Sequence, residues 1–286
     1  MKTSTEIQST ANLVGYEKAI ELIAKAGFDA WDFSMCKMAR VIGTERRTVV
    51  GDYVLTTDGY ADYAKKLKQI GLDNGITCNQ SHAPFPSFDK TIQYYIKRAI
   101  ECSAIAGAEI CVVHPINYYS PEKNADFYRE LLDFAKQHNV KIATENMYGW
   151  DCVNGTAIPH ACAWADNFLA HLNAVNDDYF VACVDIGHAE MKGARSSATD
   201  IIYTLKDKVQ ALHIHDVDLI HDNHATPFTL KIDYAPIVKA LKDVNYKGYL
   251  TLEVDNHYVN GGYTKETAFE GAKTLFESVN KLKNMF

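Results

Sequence analysis

The chain has 286 residues, is 47% hydrophobic and carries a formal net charge of -7. That length suits one large α/β barrel or two ordinary domains, and with no Pro/Gly/Ser-rich linker, charge block or low-complexity run it reads as one domain over residues 1–286. The acidic balance argues against nucleic acid, whose phosphates are bound by clustered Lys and Arg. No apolar run is long enough to span a bilayer, so no membrane partner is expected, and Met1 to Val14 lacks the apolar core of a signal peptide. Seven cysteines without framework spacing or a Cys-x-x-Cys read as reduced thiols in a cytoplasmic protein.

In chain order, Lys2 to Gln8 reads as the first strand, and Tyr16 to Lys25 as a helix with Ala19, Ile20, Leu22 and Ile23 at helical spacing. Phe28 to Met35 is the second strand. Asp58 to Asn74 is a helix stopped at Gly75. Ile76 to Ala83 is the third strand and ends at His82-Ala83-Pro84. Lys90 to Ala106 is an amphipathic helix closed by Gly107. Glu109 to Val113 is the fourth strand, ending at His114-Pro115. A helix over Pro121 to His138 leads to the fifth strand, Val140 to Thr144, which ends at Glu145-Asn146. Ala161 to Val175 is helical, and Phe180 to Val184, the sixth strand, runs into Asp185-Ile186-Gly187-His188. Ala198 to Lys206 is a helix. The seventh strand carries Ala211-Leu212-His213-Ile214-His215-Asp216, with Ala211, His213 and His215 on one face and Leu212 and Ile214 on the other. Tyr234 to Val244 is a helix, Tyr249 to Leu252 the eighth strand, ending at Glu253, and Lys265 to Lys283 the last helix.

Eight short, almost wholly apolar strands alternating with eight helices predict a single (β/α)8 TIM barrel, since parallel strands are buried on both faces. An open doubly wound sheet would be expected to show a Gly-x-Gly-x-x-Gly after its first strand, and none is present. In a barrel the strand C-termini converge on one face, so His82, His114, Glu145, Asp185, His188, His213 and Glu253 should share a site. Each alone has an ordinary explanation: a strand-end Asp can cap the next helix, and a His beside Pro can serve a turn. Together they form a set of ligands suited to Mn²⁺, Zn²⁺, Co²⁺ or Mg²⁺. Glu145, Asp185, His213 and Glu253, from strands five to eight, can hold one central ion and leave positions for two substrate oxygens. Glu145 and Glu253 are then the candidates to move a proton between substrate carbons. His188 can bind a substrate oxygen, and His215 and Asp216 can orient ligands. Tyr118, Tyr119, Tyr148 and Trp150 follow strands four and five, where a ring face could stack on a sugar.

On His114-Pro115, Glu145-Asn146, Val184 to His188, Leu212 to Asp216 and Glu253, the chain resembles the xylose-isomerase-like barrels over nearly its whole length. That group includes metal-dependent sugar isomerases and epimerases, inosose dehydratases and zinc-dependent abasic-site endonucleases of the endonuclease IV type. The resemblance implies the same four-ligand metal site. It also implies further ligands of a three-zinc cluster at His82, His114, His188, Asp222 and His224. The run Pro227 to Tyr234 lacks the glycines of both branches, and Asp185-Ile186-Gly187-His188 is closer to the sugar branch. The expected function is therefore a divalent-metal-dependent isomerase or epimerase of a sugar, sugar phosphate or polyol, working through a metal-stabilised enediolate. A metal-dependent dehydratase of the inosose or dehydroshikimate type is the first alternative and an abasic-site nuclease the next. His188, His215 and Trp150 are the expected substrate contacts. Metal identity, the particular sugar and homo-oligomer formation stay open.

Overall fold

The computed structural model describes residues 1–286, and in it the predicted alternation closes into a ring. The barrel strands are β1 Lys2–Thr5, β2 Ala30–Ser34, β3 Thr77–His82, β4 Ile110–Val112, β5 Lys141–Glu145, β6 Phe180–Asp185, β7 Val209–His213 and β8 Tyr249–Leu252. Strands β2 to β7 form one parallel sheet in sequential order, and β1 pairs with β8. The two remaining seams are closed by single parallel bridges, Glu6 with Asp32 and Ile214 with Leu252. Their backbone bonds are Ile7 N–H to Asp32 O at 3.2 Å and Glu253 N–H to Ile214 O at 3.0 Å. This closure excludes the open-sheet alternative.

The helices α1 Tyr16–Ala26, α2 Tyr60–Asp73, α3 Lys90–Ala106, α4 Pro121–Gln137, α5 Ala165–Val175, α6 Ala198–Leu205, α7 Tyr234–Asp243 and α8 Ala268–Lys283 follow the strands in turn. Their ends are written in the sequence. Asp89 accepts from the Thr91 and Ile92 amides at 2.9 and 3.0 Å, Ser197 and Asp200 form a capping box, and Gly107 closes α3 at φ 93°. The main core lies between sheet and helices, with Leu212 and Ile214 in it. The barrel interior is floored by small residues, among them Ala143, Cys183 and Ala211. Small side chains there leave the space above them to the larger groups at the strand ends. No helix is long and apolar enough to cross a membrane.

Four local differences from the sequence reading matter. The first strand stops at Thr5, and Gln8–Val14 is a helix, so Glu6 becomes a strand-end residue. The seventh strand stops at His213, and His215 sits in the loop beyond it. Two antiparallel hairpins, Ala39–Ile42 with Arg47–Val50 and Tyr148–Asp151 with Thr156–Pro159, extend the loops after β2 and β5. They bury little, so hydrophobic periodicity gave them no signal. The helices expected from Ala161 and Lys265 begin at Ala165 and Ala268.

Candidate metal centre

Glu145, Asp185 and His213 are the last residues of β5, β6 and β7, and Glu253 follows β8. Parallel pairing in register brings them together: Asp185 lies beside His213 and Cys183 beside Glu145. All four are buried, with Asp185 fully so. His213 Nδ1 lies 3.2 Å from Glu145 Oε2 and 3.3 Å from Glu253 Oε2. Asn146 locks the neighbouring strand ends, donating to Asp185 O at 2.9 Å and accepting from the Asp185 amide at 2.8 Å. Burial pushes the Glu145 carboxyl up, but His213 and His114 outweigh it and hold it well below the usual range. Glu253 is likewise held low against burial by His213 and His82.

Glu145 Oε2, Asp185 Oδ2 and His213 Nδ1 are buried without a hydrogen-bond partner. The four residues offer ligand atoms within 4.8 Å of one another. Buried polar atoms are nearly always paired, and a divalent cation between these groups would pair all three. Three carboxylates and one imidazole therefore fit such an ion in donor chemistry as well as in position.

A second group lies beside the first: His188, His215, Asp222 and His224. His188 Nδ1 donates to Asn146 O at 2.9 Å and His224 Nδ1 donates to Glu253 O at 3.0 Å. A carbonyl only accepts, so each Nδ1 carries its proton and each Nε2 turns towards Asp222 Oδ2, at 3.5 and 3.1 Å. Burial pulls the His188 imidazole down, but Asp185 and Asp222 outweigh it and push it up to about 10. A cation among these Nε2 atoms would compete with that proton for the same lone pair. His215 is fully buried, stacks on His224 at 4.1 Å and approaches Asp185 Oδ1 at 3.1 Å.

His82 and His114 meet on the other flank, Nε2 to Nε2 at 2.8 Å. His82 Nδ1 lies 3.2 Å from Glu253 Oε1, and His114 Nε2 lies 3.4 Å from Glu145 Oε2. Asp216 does not face this space; it accepts from the Leu230 and Ile232 amides at 2.9 and 3.0 Å. That tether orders the glycine-free loop from Pro227.

The groups open into a cavity of about 360 Å³, within the usual range for small-molecule sites. Tyr148 lines it and donates to Asp222 Oδ2 at 3.1 Å. Trp150, two residues further along the same strand, does not line it and stacks on His221 at 5.6 Å. Tyr118 is 81% exposed and packs on His160. Sequence reasoning passed over Gln8, Asn12, Lys37 and Asp255, which with Cys36 form the cavity wall beyond the ends of β1, β2 and β8. It also passed over Glu6, buried beneath that wall and pushed up to about 8 by burial and then by Asp255. Ending β1 at Thr5 would have exposed Glu6 to the same strand-end rule; Lys37, in the single 3-10 turn Cys36–Met38, and Asp255, in a turn after β8, carry no such signal.

The sequence profile of the xylose isomerase-like TIM barrel family matches residues 20–283, and the chain belongs to that family. It is 25% identical over 193 residues to an uncharacterized protein of Methanocaldococcus jannaschii, covering 61% of this chain and 64% of that protein. The chain spans 64% and 51% of the length of the curated relatives it matches. Among solved structures, the IOLI protein with a bound zinc atom matches with a TM-score of 0.71 and 19% identity, over 100% of this chain and 99% of that one. D-psicose 3-epimerase, solved in the presence of D-fructose, matches with a TM-score of 0.69 and 15% identity, over 97% of each chain. At these identities the likeness is one of fold.

Proposed function

We propose that this xylose isomerase-like barrel is a divalent-metal-dependent isomerase or epimerase of a sugar or related polyol. The observation that carries the proposal is the bracket of two ionised glutamates: Glu145 and Glu253 both approach His213 Nδ1, among buried ligand atoms that lack partners. The zinc in the IOLI protein and the sugar setting of D-psicose 3-epimerase support the same reading.

Glu145, Asp185, His213 and Glu253 would hold the ion. When bound, it supplies Lewis-acid polarisation of a substrate carbonyl and acidifies the neighbouring C–H. Glu145 and Glu253 carry the proton transfer, one removing the α-proton and the other returning it. Both are held in the ionised form that a general base requires. Their second oxygens are also placed: Glu145 Oε1 lies 3.6 Å from His188 Nδ1 and Glu253 Oε1 3.2 Å from His82 Nδ1. Asp185 and His213 mainly hold the ion. His188 and Tyr148 face the cavity and can bind substrate oxygens, while the Phe85 ring, stacked on His114 at 4.6 Å, offers an apolar surface to a sugar C–H face.

The test is exchange of substrate protons in deuterated water, with a ketohexose panel that includes D-fructose and with Mn²⁺ or Zn²⁺ supplied. Glu145→Gln and Glu253→Gln each keep an oxygen ligand and lose the proton acceptor. Each should slow exchange by ~10²–10⁴ while much of the metal stays bound. If either variant exchanges the α-proton at the unmodified rate, the two-glutamate scheme is wrong.

A second reading, cleavage of DNA at abasic sites, draws on the groups that flank the central four. His82, His114 and Glu145 on one side and His188, His215, Asp222 and His224 on the other could hold further ions. Charge opposes it: Lys37 is the one Lys or Arg lining the cavity, and the chain is net -7. An abasic-duplex cleavage assay should show nothing above a metal-only control.

A further inference from the structure

We propose that the groove beside the metal centre, between the loops after β7 and β8, is a second sugar subsite, so that the substrate is a ketose carrying a glycosidically linked sugar ring rather than a free monosaccharide. The groove has a volume of about 720 Å³, against about 360 Å³ for the central cavity. One partition separates the two. In the loop after β7, Asp222 and His224 line the central cavity, while Asn223, Ala225 and Thr226 line the groove. In the loop after β8, Glu253 and Asp255 line the cavity, while Asn256 and His257 line the groove. Two hydrogen bonds hold these segments together as a wall: His224 Nδ1 donates to Glu253 O at 3.0 Å, and Asn256 Nδ2 to Asn223 O at 3.1 Å. Asp222 lines both spaces, so they meet at its side chain.

The lining has the chemistry that recognises a carbohydrate. Its floor is fixed from the core: His257 is buried, its Nε2 donates to Gly271 O at 3.0 Å, and its Nδ1 therefore accepts from Thr226 Oγ1 at 2.7 Å. Tyr263 stacks on that imidazole at 5.1 Å, and its hydroxyl donates to Thr274 Oγ1 at 3.2 Å. The tyrosine ring is seated against Gly261, where a Cβ would fall 2.4 Å from Tyr263 Cε2. An aromatic ring offers a surface to the C–H face of a sugar. Asn256 and Asn260 add amides, which both donate to and accept from hydroxyls. No Lys or Arg lines the groove, and its one carboxylate, Asp222, already accepts from Tyr148. Phosphates and carboxylates are held by Arg and Lys, so a neutral, hydroxyl-rich ring is the occupant that fits. Bound there, away from the reacting carbons, it supplies binding energy that the chemical step can use.

The inference rests on the isomerase reading above for its consequence, but the subsite itself can be read without turnover. The full chain, supplied with Mn²⁺ or Zn²⁺, is given D-fructose, 6-O-α-D-glucosyl-D-fructose and 4-O-β-D-galactosyl-D-fructose in deuterated water, and exchange of the α-proton is followed. At least one of the two glycosyl ketoses should be exchanged with a kcat/KM ~10-fold or more above that of fructose. Asn260 is exposed at the end of the short helix His257–Asn260 and does not line the central cavity. Asn260→Trp fills the groove; it should remove the advantage of the glycosyl ketose and leave fructose within about twofold. Neither glycosyl ketose exceeding fructose in the native chain, or an equal loss for both kinds of substrate in Asn260→Trp, overturns the proposal. If no ketose is exchanged, the isomerase reading falls, and the groove is decided by methyl β-D-glucoside alone. Saturation transfer from the protein to that probe, lost in Asn260→Trp, upholds the subsite, and no transfer from the native chain overturns it.

Discussion

Gly187→Ala is the sharpest probe of how the outer histidine group is built. Gly187 lies in the short helix Ile186–Glu190 and has no positive φ, so the backbone itself accepts alanine. On intrinsic propensity the change should stabilise the chain by up to about 1 kcal/mol. A Cβ built there, however, falls 2.0 Å from His215 Cε1 and 2.4 Å from Nε2. To regain an ordinary contact the ring must retreat by roughly 1.4 Å. It is fully buried and backed by His224 at 4.1 Å, so the retreat also breaks its approach to Asp185. Overpacking of this kind costs about 1–3 kcal/mol, and a buried polar partner left unpaired adds about 1–3. Less the propensity gain, the expected net loss is about 1–6 kcal/mol. Urea unfolding of Gly187→Ala, His215→Ala and the double variant measures the coupling. With the ring removed, Gly187→Ala should become neutral or stabilising, giving a coupling of at least about 2 kcal/mol. An equal cost in both backgrounds would refute the steric argument and the seating of His215 that it describes.

Two further outcomes are expected. His224→Ala should remove one divalent ion per chain, measured by elemental analysis after dialysis, and leave the central ion in place; unchanged metal content would remove the outer site. His171 and His257 sit in the core away from the centre: burial pulls both below the ordinary 6.5, although each donates to a carbonyl, at 2.8 and 3.0 Å. Their folded forms are neutral, so the stability they contribute is present above the unfolded value near 6.5 and is lost as pH falls through their lower folded values. Urea midpoints between about pH 8 and 5 should therefore drop more in the native chain than in the His171→Gln, His257→Gln variant, and parallel curves would contradict this.

The barrel and its functional end were legible in the residues because they follow from local rules. Apolar runs such as Phe180 to Val184, buried on both faces, announce parallel strands, and Asp89, Ser197 and Gly107 mark helix ends. Parallel pairing then places every strand C-terminus on one side, so Glu145, Asp185, His213 and Glu253 group together by their place in the chain alone. Tertiary structure decided whatever depends on direction and distance rather than on order along the chain. Trp150 and Tyr148 stand two residues apart on one hairpin, and packing alone sent Tyr148 to the cavity and Trp150 to His221. Asp32 lies in β2, far from His213 along the chain; only closure of the ring brings the two together. Carbonyl oxygens choose the free nitrogens of His188 and His224, and those carbonyls belong to Asn146 and Glu253, far away along the chain. Strand order is a matter of burial, which each segment carries in its own residues, whereas the hand of an imidazole depends on what the rest of the chain sets beside it.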